Sequence, residues 1–153
     1  MAEPLFHVAL IHPEIPQNTG NIGRLCLGVG ARLHLVHPLG FSVGEAAVRR
    51  AGLDYWQHVD VLEHPDLTAF WAWVGERRVW CLTAHGDRAY TQVAYAPGDV
   101  LVFGRESVGL GAIADGRPTL RIPMLGTRSL NLSNAAAVVA YAAFERLRPE
   151  LFG

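Results

Sequence analysis

This sequence predicts an α/β fold: a mainly parallel sheet with helices on both faces. Three observations point there. Short apolar runs suited to buried strands alternate along the chain with helical stretches, the pattern that builds parallel sheets. Half of the residues are apolar and the formal charge is −1, the composition of a globular protein rather than a disordered one. At 153 residues one domain spanning 1–153 is the default, long enough to bury a substantial core.

Residues 5–11 are a short apolar run that reads as a buried strand, ended by His12-Pro13 because proline cannot continue a ladder. Asn18 or Thr19 is expected to cap a helix that runs to about Gly30. Residues 32–37 read as a second strand. Ser42-Val-Gly-Glu45 has the spacing of a capping box and should open a short helix through Arg50. A third strand is expected at 59–62. A helix follows over 65–74, with Pro65 and Asp66 in its first turn, where the dipole and the missing N–H suit them. Residues 78–83 read as a fourth strand, Pro97-Gly98-Asp99 as a turn, and 100–103 as a fifth strand that breaks at Gly104. A short helix at 110–115 and a sixth strand at 120–122 lead to the last helix.

That last stretch passes from a polar loop into a helix without a break. Ser129, Asn131, Ser133 and Asn134 crowd its start, where unpaired backbone N–H groups need acceptors. Six alanines between 135 and 143 then leave room for another backbone to come close. Composition leaves two readings open: a buried terminal helix with an elaborate cap, or a ligand loop joined to a helix that packs on a partner subunit.

Composition also narrows function. A near-neutral chain is not a basic nucleic-acid glue, so any RNA contact must come from a local patch. All 13 positive residues are arginine, whose planar fork suits phosphate. Cys26 and Cys81 sit in apolar surroundings without a CxxC partner and read as reduced thiols of a cytoplasmic protein. Met-Ala-Glu-Pro at the start lacks the basic and apolar regions of a signal peptide, and no apolar run approaches a membrane span. Of the seven histidines, His34-Leu-Val-His37 is the tempting pair, but on a strand it lacks the helical spacing of a zinc site, so no metal is expected.

Three stretches could carry chemistry, each beside a strand edge, where open α/β sheets bind ligands. The first is Asn18-Thr-Gly-Asn-Ile-Gly-Arg24, which is neither GxGxxG nor a Walker loop. The second is Phe103-Gly-Arg-Glu-Ser-Val-Gly-Leu110, where Gly104 would admit close approach by a ligand. The third runs from Ile122-Pro-Met124 to Ser129-Leu-Asn-Leu-Ser-Asn134. In this order and at these spacings they resemble the SPOUT superfamily of AdoMet-dependent RNA methyltransferases, in its 2'-O-ribose branch: NxGNIxR, FGxExxGL, then RIPM and SLNLSNA. The likeness spans essentially the whole chain. It extends to Arg49-Arg-Ala-Gly-Leu-Asp-Tyr55, which is similar to the small subfamily that methylates the wobble nucleotide of tRNA.

The resemblance implies a C-terminal trefoil knot and a homodimer whose active site lies at the subunit interface. Ala136, Ala140 and Ala143, at helical spacing, would then face the partner. It implies S-adenosyl-L-methionine as methyl donor, held by Leu82, Gly104, Ile122 and Ser129 with Met124 and Leu130 as neighbours. Arg24 would act on the ribose, as base or as a phosphate clamp, and Ser129 and Asn131 would complete the catalytic site. Arg24, Arg49, Arg50 and Arg128 are the candidates for binding tRNA; Tyr55 and Trp56 could stack on a base or belong to the core. Arg105 departs from the wobble subfamily, which tends to have proline there. The alternatives are a methyltransferase acting on another RNA such as rRNA, or a non-catalytic RNA- or nucleotide-binding module.

Overall fold

The computed structural model describes residues 3–153, apart from the side chains of 47, 49 and 52–54. Seven strands are described: β1 (Phe6–Ile11), β2 (Ala31–Val36), β3 (Val61–His64), β4 (Val79–Leu82), β5 (Arg88–Ala89), β6 (Val100–Phe103) and β7 (Thr119–Arg121). They form one sheet in the order β3-β2-β1-β6-β4-β7-β5. Every neighbouring pair is parallel, as the alternation of strands and helices predicts.

Side chains alternate across the strands and build one core on each face. Phe6, Val8 and Leu10 of β1, with Leu33, Leu35, Leu101 and Phe103, pack against helices α1 (Pro16–Val29) and α4 (Leu132–Leu147). Ala9, Ile11, Val36, Val100 and Val102 pack on the other face against Phe70 and Val74 of helix α3 (Leu67–Val74). Helix α2 (Ala46–Gly52) and the 3-10 segment Leu53–His58 cover α1 from outside. Both cysteines are buried and free. No described helix is long and apolar enough to cross a membrane.

Several expectations need correction. Neither Asn18 nor Thr19 caps α1; the helix starts at Pro16, and Ile15 precedes it with no side-chain cap of its own. Proline at the first helical position is pre-set for the turn, which moves the start at least three residues earlier than a cap at Asn18 or Thr19 would put it. Ser42-Val-Gly-Glu45 closes a backbone turn, Glu45 N–H to the Ser42 carbonyl at 2.9 Å, and α2 begins only at Ala46. Strand β3 lies two residues beyond the expected 59–62. Asp66 is the cap of α3 rather than part of its first turn, accepting the Ala69 N–H at 2.8 Å. The short helix after motif two is a single 3-10 turn, Gly111–Ala114. The two-residue strand β5 escapes the sequence because it is too short to show a period.

The correction with the largest consequence is in α4. Ala136, Ala140 and Ala143 are at most 1 % exposed inside this one chain, packed in the core with α1 and the sheet. Their small size lets α4 approach its own sheet, so they do not face a partner. The outward side of the helix carries Tyr141, 47 % exposed, edge-on to Phe144, which in turn meets Phe152.

Candidate active site

The strand order explains why the three motifs belong together. Strands β6, β4 and β7 are adjacent and parallel, so their carboxyl ends open on one edge of the sheet. Leu82 ends β4, Gly104 follows β6, and Ile122 follows β7. Three of the residues expected to hold a cofactor thus stand at the ends of adjacent strands, drawn from positions up to 40 residues apart in sequence. Leu82, Ile122, Met124 and Leu130 are all half-buried. Among the described residues, the backbone groups of residues 124–128 make no backbone hydrogen bond. Half-buried apolar side chains beside unpaired peptide groups suit a ligand with an apolar body and polar edges.

Gly104 has a different reason from the one expected. A Cβ there would lie 2.2 Å from the Gly109 carbonyl carbon and 2.3 Å from the Leu110 nitrogen. The chain itself, not a ligand, makes the close approach. Residues 105–109 turn back, Gly109 donating its N–H to the Arg105 carbonyl at 2.9 Å and taking a φ of +68°. The Arg105 carbonyl is the acceptor of that bond, and a proline at 105 would offer the same acceptor.

That turn aims Glu106 at motif one. Its carboxylate accepts the N–H of Glu14 at 2.8 Å, the N–H of Ile15 at 3.0 Å and Asn18 Nδ2–H at 3.1 Å. In return the Glu14 carboxylate accepts the Ser107 N–H at 2.9 Å, which holds the Glu14 carboxyl below its ordinary range. A residue about 90 positions away therefore ties down the two peptide N–H groups that lead into α1 and the side chain of Asn18 in its first turn. Asn18 is 4 % exposed and is a brace rather than a cap. No sequence rule assigns Glu106 this role, since a cap is sought beside its own helix. The chain enters α1 through His12, whose φ of 55° turns it off the end of β1.

Arg24, two turns into α1, is exposed. Its guanidinium carbon lies 4.7 Å from the centroid of the Tyr55 ring, and among the described residues it has no carboxylate partner. Tyr55 is 43 % exposed. Trp56 is half-buried against the core, so of the two aromatics only Tyr55 remains available at the surface. Ser129 is exposed. Asn131 caps α4, its side-chain oxygen accepting the Ser133 N–H at 2.9 Å and the Ser133 hydroxyl. That leaves the Asn131 amide, not its oxygen, for any contact outside the chain. Arg50 and Arg128 are exposed; the side chain of Arg49 lies outside the described residues. His34 and His37 do not converge: His34 is buried between His7 and His64, and His37 bonds Glu63 at 2.7 Å.

The chain matches the model of the SpoU rRNA Methylase family over residues 5–141. It is 45 % identical to the tRNA (cytidine(34)-2'-O)-methyltransferase of Escherichia coli (strain K12) over 148 residues, 94 % of each chain. It is likewise 45 % identical to that of Saccharophagus degradans, over 94 % of this chain and 96 % of the relative. A solved structure described as giving insights into the 2-OH methylation of C/U34 on tRNA superposes with a TM-score of 0.91 at 43 % identity, covering 94 % of this chain and 97 % of the other. A SpoU methyltransferase from Streptomyces viridochromogenes, solved with AdoMet, shares the fold at a TM-score of 0.85 and 24 % identity, over 100 % of this chain and 60 % of that one.

Proposed function

The chain belongs to the SpoU rRNA methylase family, and from that membership we propose that it is an AdoMet-dependent 2'-O-methyltransferase acting on the ribose of the wobble nucleotide, position 34, of tRNA. It works in the cytoplasm as one domain, with the trefoil knot of the SPOUT fold. The observation that carries the reading is the meeting of Leu82, Gly104 and Ile122 at the ends of three adjacent parallel strands, with Glu106 tying motif one to that edge. The identity to wobble-position enzymes over nearly the whole chain supports the substrate.

AdoMet supplies a methyl group on a sulfonium, and its transfer to a hydroxyl needs neither metal nor covalent enzyme intermediate. The half-buried side chains of Leu82, Ile122, Met124 and Leu130 would hold the apolar body of the donor. Ser129 and the unpaired peptide groups of the preceding loop would hold its polar edges. The task left to the protein is to place the 2'-hydroxyl in line with the methyl, and positioning of this kind can supply about 7–11 kcal/mol of the barrier. Arg24 serves that task as a clamp on the neighbouring phosphate. A guanidinium gives up its proton too reluctantly to act as a base, and among the described residues this one has no carboxylate to compete with RNA for its fork. The Asn131 amide and the Ser129 hydroxyl face the same substrate by hydrogen bonding. Arg50, Arg128 and Arg49 contribute the phosphate contacts that net charge does not supply. The exposed Tyr141, Phe152 and Leu151 form the seam of a homodimer.

The test is at Arg24. Arg24→Ala should leave AdoMet affinity nearly intact in titration calorimetry and lower single-turnover methyl transfer to tRNA by orders of magnitude. Arg24→Lys keeps the charge and loses the fork, so it should retain part of the activity, with a weaker affinity for tRNA. A pH–rate profile of Arg24→Lys displaced toward lower pH would instead mark a deprotonated base. Wild-type turnover in Arg24→Ala would refute the assignment of motif one.

A further inference from the structure

We infer that Tyr55 is a positioning residue for Arg24: its ring is the seat on which the guanidinium rests before RNA arrives. This rests on the reading of Arg24 given above. The guanidinium carbon stands 4.7 Å from the ring centroid, within cation–π range. Contrast the arginines that hold structure. Arg32 bonds Asp60 at 2.9 Å, Arg78 bonds Asp99 at 2.9 Å, and Arg148 bonds Glu150 at 2.6 Å. A carboxylate in that position fills one or two of the five N–H donors and neutralises the charge. A ring face fills none, because the donors lie in the guanidinium plane and point outward from its edges. An arginine over a ring is therefore held in place with no carboxylate oxygen occupying its fork, which stays open to phosphate and ribose. Arg77, Arg117, Arg78 and Arg88 also lie over rings, those of Trp73, Trp71 and, for the last two, Trp80, but Arg77 and Arg117 belong with α3 on the other face of the sheet, Arg78 is also bound to Asp99, and Arg88 lies on the edge strand β5.

The seat is itself fixed by the residue before Arg24. A Cβ on Gly23 would fall 2.5 Å from Trp56 Cζ3 and 2.8 Å from its Cε3. The Trp56 ring thus lies directly on the α1 backbone, where only a residue without a side chain leaves room. Trp56 is anchored in the core beside Val59, and Tyr55 is its neighbour in the chain. Docking at Gly23 consequently sets where the Tyr55 ring stands relative to Arg24. The two aromatics of one segment divide the work: Trp56 fixes the segment, and Tyr55 holds the exposed arginine.

An exposed arginine with no partner samples many rotamers. Holding one of them in advance raises the rate at saturating substrate without changing affinity for the methyl donor. The hydroxyl of Tyr55 has no part in this, so Tyr55→Phe should keep kcat within about two-fold of wild type. Tyr55→Leu keeps apolar bulk and loses the π face. It should lower single-turnover methylation of saturating tRNA lacking the 34-methyl group by at least about three-fold, with AdoMet affinity unchanged. In an Arg24→Ala background Tyr55→Leu should have no further effect, because the ring acts only through that side chain. A readout independent of activity is the NMR signal of Arg24 Nε–Hε, which ring currents should displace in wild type and in Tyr55→Phe but not in Tyr55→Leu.

Two results overturn the inference alone. One is an inactive Arg24→Ala beside a Tyr55→Leu enzyme with wild-type kcat. The other is a Tyr55→Leu defect that lies wholly in KM for tRNA and persists in the Arg24→Ala background, which would make Tyr55 a base-stacking platform. Wild-type turnover in Arg24→Ala overturns both this inference and the function of Arg24 on which it rests.

Discussion

Lowering the pH from 7 to 5 should cost this protein about 4 kcal/mol of stability, through histidines that take no part in methyl transfer. His7, His34 and His64 stand on three neighbouring strands and are 6 %, 0 % and 5 % exposed. They form a chain: His7 Nδ1 to His34 Nε2 at 2.8 Å, and His34 Nδ1 to His64 Nε2 at 2.9 Å. Trp73 and Phe70 cover them. Burial, then the guanidiniums of Arg32 and Arg77, push His7 down to about 4. Burial, then His7 and His64, and then the same two arginines push His34 down to about 2. Burial lowers His64 as well. The folded chain thus keeps neutral rings at pH 5, whereas the unfolded chain binds protons near the ordinary value of about 6.5. Between that value and the folded ones the unfolded state holds more protons, so stability is full above about pH 6.5 and falls as the pH drops. From 6.5 to 5 the loss is about 2 kcal/mol for each ring at 1.36 kcal/mol per pH unit. His7 and His34 together give about 4 kcal/mol, and His64 adds in the same direction. Against a total of about 5–15 kcal/mol this is large. Urea denaturation at pH 7 and pH 5, followed by tryptophan fluorescence, measures it. His34→Leu removes one of the two rings and should roughly halve the difference. A wild-type loss under about 1 kcal/mol, or an equal loss in His34→Leu, would refute the account.

Removing the carboxylate that braces motif one should be nearly as costly. Glu106→Ala strips acceptors from two backbone amides and from the buried Asn18 amide, and should lower the urea-derived stability by about 2–3 kcal/mol, with Glu106→Gln losing roughly half as much. In α4, Ala140→Leu overpacks the core and should destabilise the protomer by about 1–3 kcal/mol. Tyr141→Asp, on the outward side, should leave the fold intact by circular dichroism and shift sedimentation from dimer to monomer. Chelators should change neither AdoMet binding by calorimetry nor turnover; zinc-restored activity after chelation would count against the direct-transfer mechanism.

Six of the seven described strands were legible as short runs bounded by turns, β5 being too short to show, and parallel order followed from their alternation with helices. Boundaries were less so where a cap comes from afar. Asn18 and Thr19 look like caps because their residue types are right, but Pro16 opens the helix and Glu106 holds the two residues that lead into it. Ala136, Ala140 and Ala143 mark a face that something approaches closely, and sequence alone does not say whose backbone that is; here it is the protein's own sheet. The motif residues Leu82, Gly104 and Ile122 lie at the ends of three adjacent strands, the kind of edge beside which the sequence pattern put all three motifs. The seat of Arg24 did not appear, because Tyr55 and Arg24 are 31 residues apart and nothing local pairs an arginine with a ring.

The strand order also explains why chemistry and folding share residues at this site. In sequence, β4 precedes β6 and β7; in space it lies between them, so the loops that follow these strands are neighbours at one edge. Arg24 stands on α1, whose entry is held by a carboxylate in the loop after β6 and whose eighth and ninth residues are held by Trp56 and Tyr55. Motif one therefore has no position of its own. It is set from motif two at one end and from the 3-10 segment at the other. A substitution at Glu106 or Gly23 acts on Arg24 without touching it, and a loss of rate there should come with a loss of stability. At Tyr55, which is exposed and carries no core contact in the hydrophobic clusters, rate should fall while stability stays. That difference separates the residues that place the helix from the one that places the guanidinium.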